Sequence, residues 1–172
     1  MAGGKCTFIL GGASSGKSAY AEGLSVDYAG RLFYIATAHA SDPEMSEKIS
    51  RHRARRSTKW TTIEEPISIV EPMARVDAPN VLILVDCLTL WLSNVMLANL
   101  DVIRETEKLV EKIMSTEAYL IFVSNEVGSG IVPDNVLARE FRHAQGVLNQ
   151  AVAAEADEVF LITAGLPINL KG

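Results

Sequence analysis

The amino-acid sequence predicts an α/β fold with a doubly wound, mostly parallel sheet of the P-loop type, and three observations support this prediction. Five short apolar runs are separated by stretches of helical character, so strands and helices alternate along the 172 residues. The runs are apolar almost throughout, as in strands that are covered on both faces. A glycine-rich segment joins the first run to the first helical stretch. We expect one domain over residues 1–172, because a chain of this length forms a single core.

The apolar runs and the segments between them predict the elements in order. The predicted strands are Cys6–Leu10, Leu32–Thr37, Val81–Asp86, Tyr119–Ser124 and Val159–Ala164. The predicted helices are Ser18–Ala29, Pro43–Arg56, Val102–Met114 and Val136–Ala156. Asp42 can cap the second helix with Pro43 at its first position. Three prolines (Pro66, Pro72 and Pro79) predict one irregular stretch before the third strand.

Composition and charge narrow the class of protein. The chain is 48% hydrophobic with a net charge of −5, which is typical of a folded globular protein and argues against general nucleic-acid binding. No apolar run approaches the roughly 18 residues of a membrane-spanning helix. The two cysteines, Cys6 and Cys87, lie in apolar runs and are expected to be buried thiols, which suits a reducing cytoplasm. We therefore expect a cytoplasmic protein without a membrane span.

The segment after the first predicted strand matches the phosphate-binding pattern G-x-x-x-x-G-K-S. It comprises Gly11, Gly12, Ala13, Ser14, Ser15, Gly16, Lys17 and Ser18. Backbone N–H groups of such a loop converge on phosphate oxygens, and the following helix start favours negative charge. Lys17 is predicted to reach the outer phosphates as a catalytic cation, and Ser18 to bind Mg²⁺. The alternative is a tight strand-to-helix turn that matches the pattern by chance.

Asp86 ends the third predicted strand and supplies the acid that such a site needs. Its carboxylate could hold Mg²⁺ through water. The alternative is that Asp86 only caps a helix that starts near Leu88. A carboxylate at a strand end suits both roles.

A cationic stretch without acids stands out in this acidic chain. It contains Lys48, Arg51, Arg53, Arg55, Arg56 and Lys59, with His52 among them. Like charges at i,i+4 on a helix repel by about 0.2–0.5 kcal/mol per pair, and a bound triphosphate would outweigh that cost. A neutral imidazole nitrogen can attack a phosphorus atom and hold the group covalently. His52 is thus either a nucleophile or an ordinary surface histidine; His39 and His143 are assigned to the surface.

Four stretches of the chain resemble the bifunctional adenosylcobinamide kinase / adenosylcobinamide-phosphate guanylyltransferase family. They are "GGASSGKSAYAE" (11–22), "YIATAHASDPEMSEKISRHRARRSTKWTTIEEP" (34–66), "VDCLTLWLSN" (85–94) and "SNEVGSGIVPDNVLAREFRHAQGVLNQAVAAEADEVFLITAGLP" (124–167). The glycine loop is common to many proteins. The E-M-x-x-K-I-x-x-H-R and S-N-E-V-G-x-G-I-V-P runs are far more specific, and they occur here in the family's order.

The resemblance implies two reactions of cobalamin biosynthesis. A nucleoside triphosphate, ATP or GTP, phosphorylates the aminopropanol hydroxyl of adenosylcobinamide. GTP then donates GMP to adenosylcobinamide phosphate through a histidine–GMP intermediate, which gives adenosylcobinamide-GDP and pyrophosphate. The family's histidine falls on His52, which the resemblance favours as nucleophile. It also implies a homo-oligomer, expected to be a trimer.

The resemblance also assigns further residues to the nucleotide. Ala36, Thr37 and Ala38 are expected to line the nucleotide site, Arg55 and Arg56 to contact phosphates, and Glu64 to accept from the guanine N–H groups. The alternative for Glu64 is an exposed loop acid beside Glu65. Asn125, Glu126, Val127 and Gly128 are expected at the same edge of the sheet, because ligands of open α/β sheets bind at the carboxyl ends of the strands.

Two positions depart from the family pattern. Ser14 stands where the family loop often has arginine, which removes a possible phosphate cation. His143 stands where the family has aspartate after Phe141 and Arg142, so a carboxylate that could orient a side chain or metal is missing. Two rival functions remain: a P-loop small-molecule kinase with a single activity, which needs only Lys17, Ser18 and Asp86, and a nucleotide-dependent switch without turnover.

Overall fold

A computed structural model describes residues 4–38 and 59–172, and these residues form one seven-stranded sheet with five helices. The strands are β1 (Cys6–Gly11), β2 (Arg31–Ala36), β3 (Trp60–Glu64), β4 (Val81–Asp86), β5 (Tyr119–Asn125), β6 (Glu158–Thr163) and β7 (Leu166–Lys171). The helices are α1 (Lys17–Gly23), α2 (Val70–Val76), α3 (Leu88–Leu97), α4 (Val102–Ser115) and α5 (Val136–Glu155).

The strand order across the sheet is β3-β2-β4-β5-β1-β6-β7. All neighbouring strands are parallel except β7, which runs antiparallel to β6 at one edge. Both faces of the sheet are covered: one packs Phe8, Ile83 and Phe122 against residues of α2, α3, α4 and α5. The other packs Leu84 and Val123 against residues of α1. The predicted doubly wound, mostly parallel sheet is therefore confirmed.

The five predicted strands are present, each with bounds within one residue of those predicted. The near-continuous apolar runs mark them correctly because central parallel strands are buried on both faces. The helices α4 and α5 are also present as predicted, and each begins at a side-chain cap. Asp101 accepts from the backbone N–H groups of Ile103 and Arg104, and Asn135 accepts from that of Ala138. The predicted helix Pro43–Arg56 lies outside the described residues.

The first helix is shorter than predicted. It was expected to reach Ala29 but ends at Gly23, after which the backbone continues in turns. Ser25 causes part of this change, since its hydroxyl donates to the carbonyl of Glu22 at 2.6 Å while its own N–H bonds the same carbonyl at 3.1 Å. Glycine followed by a serine that competes for backbone groups favours a helix end.

Three elements were not predicted from the sequence, namely β3, β7 and α2, and of α3 only the start near Leu88 was predicted. The two strands are the edges of the sheet, and β7 is exposed along its whole length, so neither has the buried apolar run of a central strand. The helix α2 falls in the stretch expected to be irregular. Pro72 is its third residue, in the first turn, where a missing N–H costs no helical hydrogen bond.

The two cysteines differ in burial. Cys6 is buried as predicted, and burial together with the nearby Asp157 charge raises the pKa of its thiol to about 12. Cys87 is only half-buried, but burial also raises the pKa of its thiol. Neither is a thiolate at neutral pH, so neither is suited to be a nucleophile. Among the described helices, none is long and apolar enough to cross a membrane.

Candidate active site

The phosphate-binding loop connects the end of β1 to the start of α1, as the motif predicts. A Cβ atom at Gly11 would lie 2.4 Å from the carbonyl oxygen of Ile162, so only glycine fits there. Gly16 has a φ of 102°, and a Cβ on it would lie 3.2 Å from the Cα of Gly165. The turn between β6 and β7 therefore packs against the loop, and the N–H of Gly165 donates to the carbonyl of Ser15 at 2.8 Å. Neighbouring strands thus hold the loop in shape.

Lys17 begins α1 and its side chain lies within the loop. It is 7% exposed, and its Nζ donates to the carbonyl of Gly12 at 2.5 Å. A buried ammonium is stable only when it is paired or hydrogen-bonded. The loop thus concentrates one positive charge and the helix N-terminus at one point, which is an arrangement suited to a phosphate.

Asp86 lies at the end of β4, opposite the first turn of α1. The hydroxyl of Ser18 is 3.4 Å from Oδ1 and 3.5 Å from Oδ2 of its carboxylate. The hydroxyl of Tyr34 donates to Oδ2 from the neighbouring strand β2. Ser18 and Asp86, each predicted to bind Mg²⁺, are therefore neighbours, whereas the sequence did not indicate Tyr34.

The Ser18–Asp86 pair fits Mg²⁺. A hydroxyl and a carboxylate are hard oxygen ligands, and Mg²⁺ takes one or two protein ligands while phosphates and water supply the rest. The Ser18–Asp86 separation exceeds the usual O–H···O distance of about 2.7–2.8 Å, which leaves the two groups near each other without a tight mutual bond. No group of three or more His, Cys, Asp or Glu able to hold a metal occurs in residues 4–38 and 59–172.

The residues after β2 mainly support the site. Thr37 is fully buried; its hydroxyl accepts from the N–H of Cys87 at 2.9 Å and lies 2.8 Å from the carbonyl of Cys87. Asn94 of α3 donates to the carbonyl of Thr37 at 2.9 Å. The Thr37 side chain thus joins the ends of β2 and β4, and this contact sets the position of Asp86. A direct contact of Ala36, Thr37 or Ala38 with a nucleotide stays a prediction.

Glu64 is exposed at the end of β3, in register with Ala36 of β2. It lies at the same edge of the sheet as Asp86, which pairs with Ala36 from the other side. Four strand spacings separate β3 from β1, or about 19 Å at about 4.8 Å per spacing. Glu64 is therefore far from the loop glycines, and its predicted contact with guanine stays a prediction.

A buried polar network supports the end of β5. Ser124 and Gln145 are fully buried; Gln145 donates to the Ser124 hydroxyl at 3.0 Å, and that hydroxyl donates to Oδ1 of Asn149 at 2.8 Å. Thr89 of α3 accepts from the N–H of Asn125 at 2.8 Å. The sequence signal that could have indicated this network is the i,i+4 pair of amides, Gln145 and Asn149, on an alanine-rich helix.

The loop after β5 is held by its own side chains. Both carboxylate oxygens of Glu126 accept hydrogen bonds, one from the N–H of Gly128 at 2.8 Å and the other from the N–H and hydroxyl of Ser129 at 3.1 Å each. Arg142 of α5 donates to the carbonyl of Gly128. The N–H of Glu126 donates to the carbonyl of Gly11 at 3.0 Å. As predicted, this segment lies at the same edge as the phosphate loop.

Comparison with known proteins identifies the family. Residues 7–170 match the family described as cobinamide kinase / cobinamide phosphate guanyltransferase. The chain belongs to this family. It is 44% identical to the bifunctional adenosylcobalamin biosynthesis protein CobP of Pseudomonas aeruginosa, over 95% of this chain and 96% of the relative. It is 34% identical to the bifunctional adenosylcobalamin biosynthesis protein CobU of Escherichia coli, over 95% and 98%.

Solved structures with low sequence identity agree on the fold of this family member. The RadB recombinase superimposes with a TM-score of 0.53 at 12% identity, over 93% of this chain and 74% of that one. A Pyrococcus horikoshii protein superimposes with a TM-score of 0.55 at 11% identity, over 100% and 88%. At such identity, the similarity concerns the fold alone, and it agrees with the predicted P-loop type.

The remaining predicted residues of the family pattern divide into two groups. His52, Arg55 and Arg56 lie outside the described residues, as does His39. The two departures from the family pattern are both exposed: Ser14 has a φ of 55° in the loop, and His143 lies on α5. Of the predicted catalytic residues the structure describes Lys17, and the two predicted metal ligands, Ser18 and Asp86, lie next to each other.

Proposed function

We propose that this chain catalyses two successive reactions of adenosylcobalamin biosynthesis. In the first, a nucleoside triphosphate phosphorylates the aminopropanol hydroxyl of adenosylcobinamide. In the second, GTP transfers GMP to the resulting phosphate and releases pyrophosphate. Membership of the family supports both reactions. The observation that carries the proposal is the Lys17–Ser18–Asp86 arrangement at the carboxyl edge of the sheet.

The geometry of this arrangement supports the kinase reaction. The loop N–H groups and Lys17 hold the outer phosphates and neutralise their charge, which is the main requirement of phosphoryl transfer. Mg²⁺ bound between Ser18 and Asp86 would supply further positive charge at the phosphates. The hydroxyl oxygen of adenosylcobinamide bonds to the γ-phosphorus as the bond to the bridging oxygen breaks, and the hydroxyl proton leaves to water. The products are adenosylcobinamide phosphate and a nucleoside diphosphate.

The transferase reaction is proposed to use His52, on the basis of the family pattern. A neutral imidazole nitrogen attacks the α-phosphorus of GTP, and pyrophosphate leaves. A phosphate oxygen of adenosylcobinamide phosphate then attacks the histidine-bound phosphorus and restores the free imidazole. Arg55 and Arg56 are proposed to bind the phosphates of this GTP, with Glu64 bound to the guanine.

Covalent labelling tests the transferase half. We expect GTP labelled at the α-phosphate to mark the protein in the presence of Mg²⁺, and His52→Ala to abolish the mark. His143→Ala is the matched control, because that histidine is exposed on α5, and it should keep the label. Label retained by His52→Ala would place the nucleophile elsewhere. If the native chain takes no label but still phosphorylates adenosylcobinamide, the protein is a kinase with a single activity.

We further propose that the chain is a single domain over residues 1–172 that acts as a cytoplasmic homo-oligomer, a trimer by the family expectation. Light scattering coupled to size-exclusion chromatography measures the assembly directly. A mass of three chains supports the proposal, and a mass of one chain contradicts it.

A further inference from the structure

We propose that the side-chain amide of Asn125 binds the phosphoryl group that is transferred in the kinase reaction. The inference rests on the proposed function for the identity of the acceptor, and on the structure for the place and orientation of the amide. The phosphate-binding loop and Asp86 are two of the parts of the site that the sequence predicted, and Asn125 lies on the strand between them.

The strand order determines this position. β5 lies between β1, which leads into the phosphate loop, and β4, which ends at Asp86. Asn125 is in register with Gly11 of β1, and Val123 is in register with Asp86 of β4. Asn125 is thus two residues beyond the level of Asp86 and directly beside the start of the loop. A group transferred from a nucleotide in the loop would lie in front of this strand end.

The alternation of side chains along β5 places the Asn125 amide on the face of the sheet that α1 covers. Phe122 and Ser124 face α3 and α5, as their packing and hydrogen bonds show. Ile121 and Val123 face the α1 side. Successive residues of a strand point to opposite faces, so Asn125 shares the face of Val123. Ser18, which lies beside Asp86, belongs to the helix that covers that face.

The backbone of Asn125 is held from two helices. Its N–H donates to the hydroxyl of Thr89 on α3 at 2.8 Å, and its carbonyl accepts from Nδ2 of Asn149 on α5 at 3.1 Å. Asn149 is in turn hydrogen-bonded to Ser124 and Gln145. Side chains therefore fix both backbone groups of Asn125, which orients its own side chain without using it.

The Asn125 side chain itself makes no hydrogen bond within residues 4–38 and 59–172, although it is half-buried. The neighbouring Glu126 differs, because its carboxylate already accepts three hydrogen bonds from its own loop. An amide held in a fixed place with a free N–H₂ group can donate to a phosphoryl oxygen. Such a donor acts most strongly on charge that develops during transfer, because no reorganisation is needed.

The chemical step is the one given above. As the acceptor hydroxyl oxygen bonds to the γ-phosphorus and the bridging bond breaks, Nδ2 of Asn125 donates to a non-bridging oxygen of the moving phosphoryl group. The proton of that hydrogen bond stays on nitrogen. Nucleoside diphosphates lack this group, so the contact should distinguish triphosphates from diphosphates.

The test compares Asn125→Ala with Asn80→Ala, a matched substitution of an exposed asparagine at the opposite end of the sheet, before β4. Two measurements are made on each full-length variant: kinase turnover with adenosylcobinamide, and dissociation constants for ADP and for a non-hydrolysable ATP analogue with Mg²⁺. We expect Asn125→Ala to reduce kcat on the order of 10²-fold. The same variant should bind the ATP analogue several-fold more weakly, while its dissociation constant for ADP stays within about twofold of the native value. Asn80→Ala should change neither.

The outcomes separate the inference from the proposed function. Equal binding of the analogue by Asn125→Ala and Asn80→Ala would overturn the inference, as would an equal loss of ADP and analogue binding. The latter would make Asn125 only a support of the loop. If the native protein does not phosphorylate adenosylcobinamide, the proposed function fails, but the two dissociation constants still decide whether Asn125 contacts the γ-phosphate. Circular dichroism melting of each variant checks that the fold is retained.

Discussion

Two aspartates flank the central strand β4 and have different roles. Asp77 lies before the strand, where Oδ1 accepts from Thr116 and from the N–H groups of Glu117 and Ala118, and Oδ2 accepts from Lys112 at 2.5 Å. Asp86 ends the strand, where hydroxyl groups of Ser18 and Tyr34 approach its carboxylate. The first carboxylate is neutralised by Lys112, a cation of the fold, whereas the partners of the second include hydroxyl groups from α1 and β2.

The difference indicates how a carboxylate is assigned to stability or to function. Burial alone would raise the pKa of Asp77, but its hydrogen bonds to Lys112, Thr116 and the two backbone N–H groups outweigh it and lower the pKa. Such an aspartate stabilises the folded chain at neutral pH. Asp86 lies beside the first turn after the phosphate-binding loop, and the hydroxyl groups of Ser18 and Tyr34 orient its carboxylate there. We expect substitutions at Asp77 to affect stability and substitutions at Asp86 to affect activity.

The largest expected effect is that of Asp86→Asn on turnover. The amide keeps the shape but loses the negative charge that would hold Mg²⁺, so we expect kinase kcat to fall by about 10²–10³-fold. Melting temperature should change little. The measurement is turnover as a function of Mg²⁺ concentration, beside thermal unfolding of the same sample. A variant with native turnover would contradict the proposed role of Asp86 in holding Mg²⁺, and a cap of α3 would not replace that role, because the N-cap residue of α3 is Cys87.

The next effect is that of Asp77→Ala on stability. The substitution leaves Lys112 and three further donors without their acceptor, and we expect the free energy of unfolding to fall by about 2 kcal/mol. Urea denaturation measures this, and kinase turnover of the folded variant should remain native. Asp77→Asn keeps an acceptor at Oδ1, so its free energy of unfolding should fall by less than that of Asp77→Ala. Equal losses for both variants would assign the effect to the Lys112 charge pair alone.

A smaller effect is expected for Tyr34→Phe. It removes one hydroxyl from a side chain that is 2% exposed and leaves the ring packing in place. Because a partner that orients a ligand typically contributes 10–100-fold to metal affinity, we expect the Mg²⁺ requirement of the kinase to rise by about 10-fold. Mn²⁺ binding followed by electron paramagnetic resonance provides a readout independent of turnover. Unchanged Mn²⁺ affinity would contradict the role of Tyr34 in orienting Asp86.

The smallest effect is the acid dependence of stability that comes from Asp77. A carboxyl whose pKa is lowered on folding contributes stability above its ordinary value of 3.8, and loses it as the pH falls through the lower folded value. The stability difference between the native chain and Asp77→Asn should therefore be constant near neutral pH and shrink below about pH 4. Chemical denaturation over this range measures it. A stability difference that grows as the pH falls would contradict this prediction.

The parts of the site predicted from the sequence are those defined over a few consecutive residues. The glycine loop needs particular backbone shapes, and Gly11 and Gly16 are confirmed as positions where a larger residue would not fit well. Asp86 was found because it ends a run of buried residues. Asn125 was predicted only to lie at this edge of the sheet, as part of a run that resembles the family, and Tyr34 was assigned no role, since the contacts of both residues come from other strands and helices. His52 stays a prediction, because it lies outside the described residues.

The sequence by itself determined the five central strands, the phosphate-binding loop and the family, because each is written in a local pattern of apolar runs, glycines or specific motifs. Only the tertiary structure decided which strands are neighbours, and thus that Tyr34 reaches Asp86 and that Asn125 lies between Asp86 and the loop. The physical reason is that strand order is set by packing between residues far apart in the chain. No local pattern records that packing.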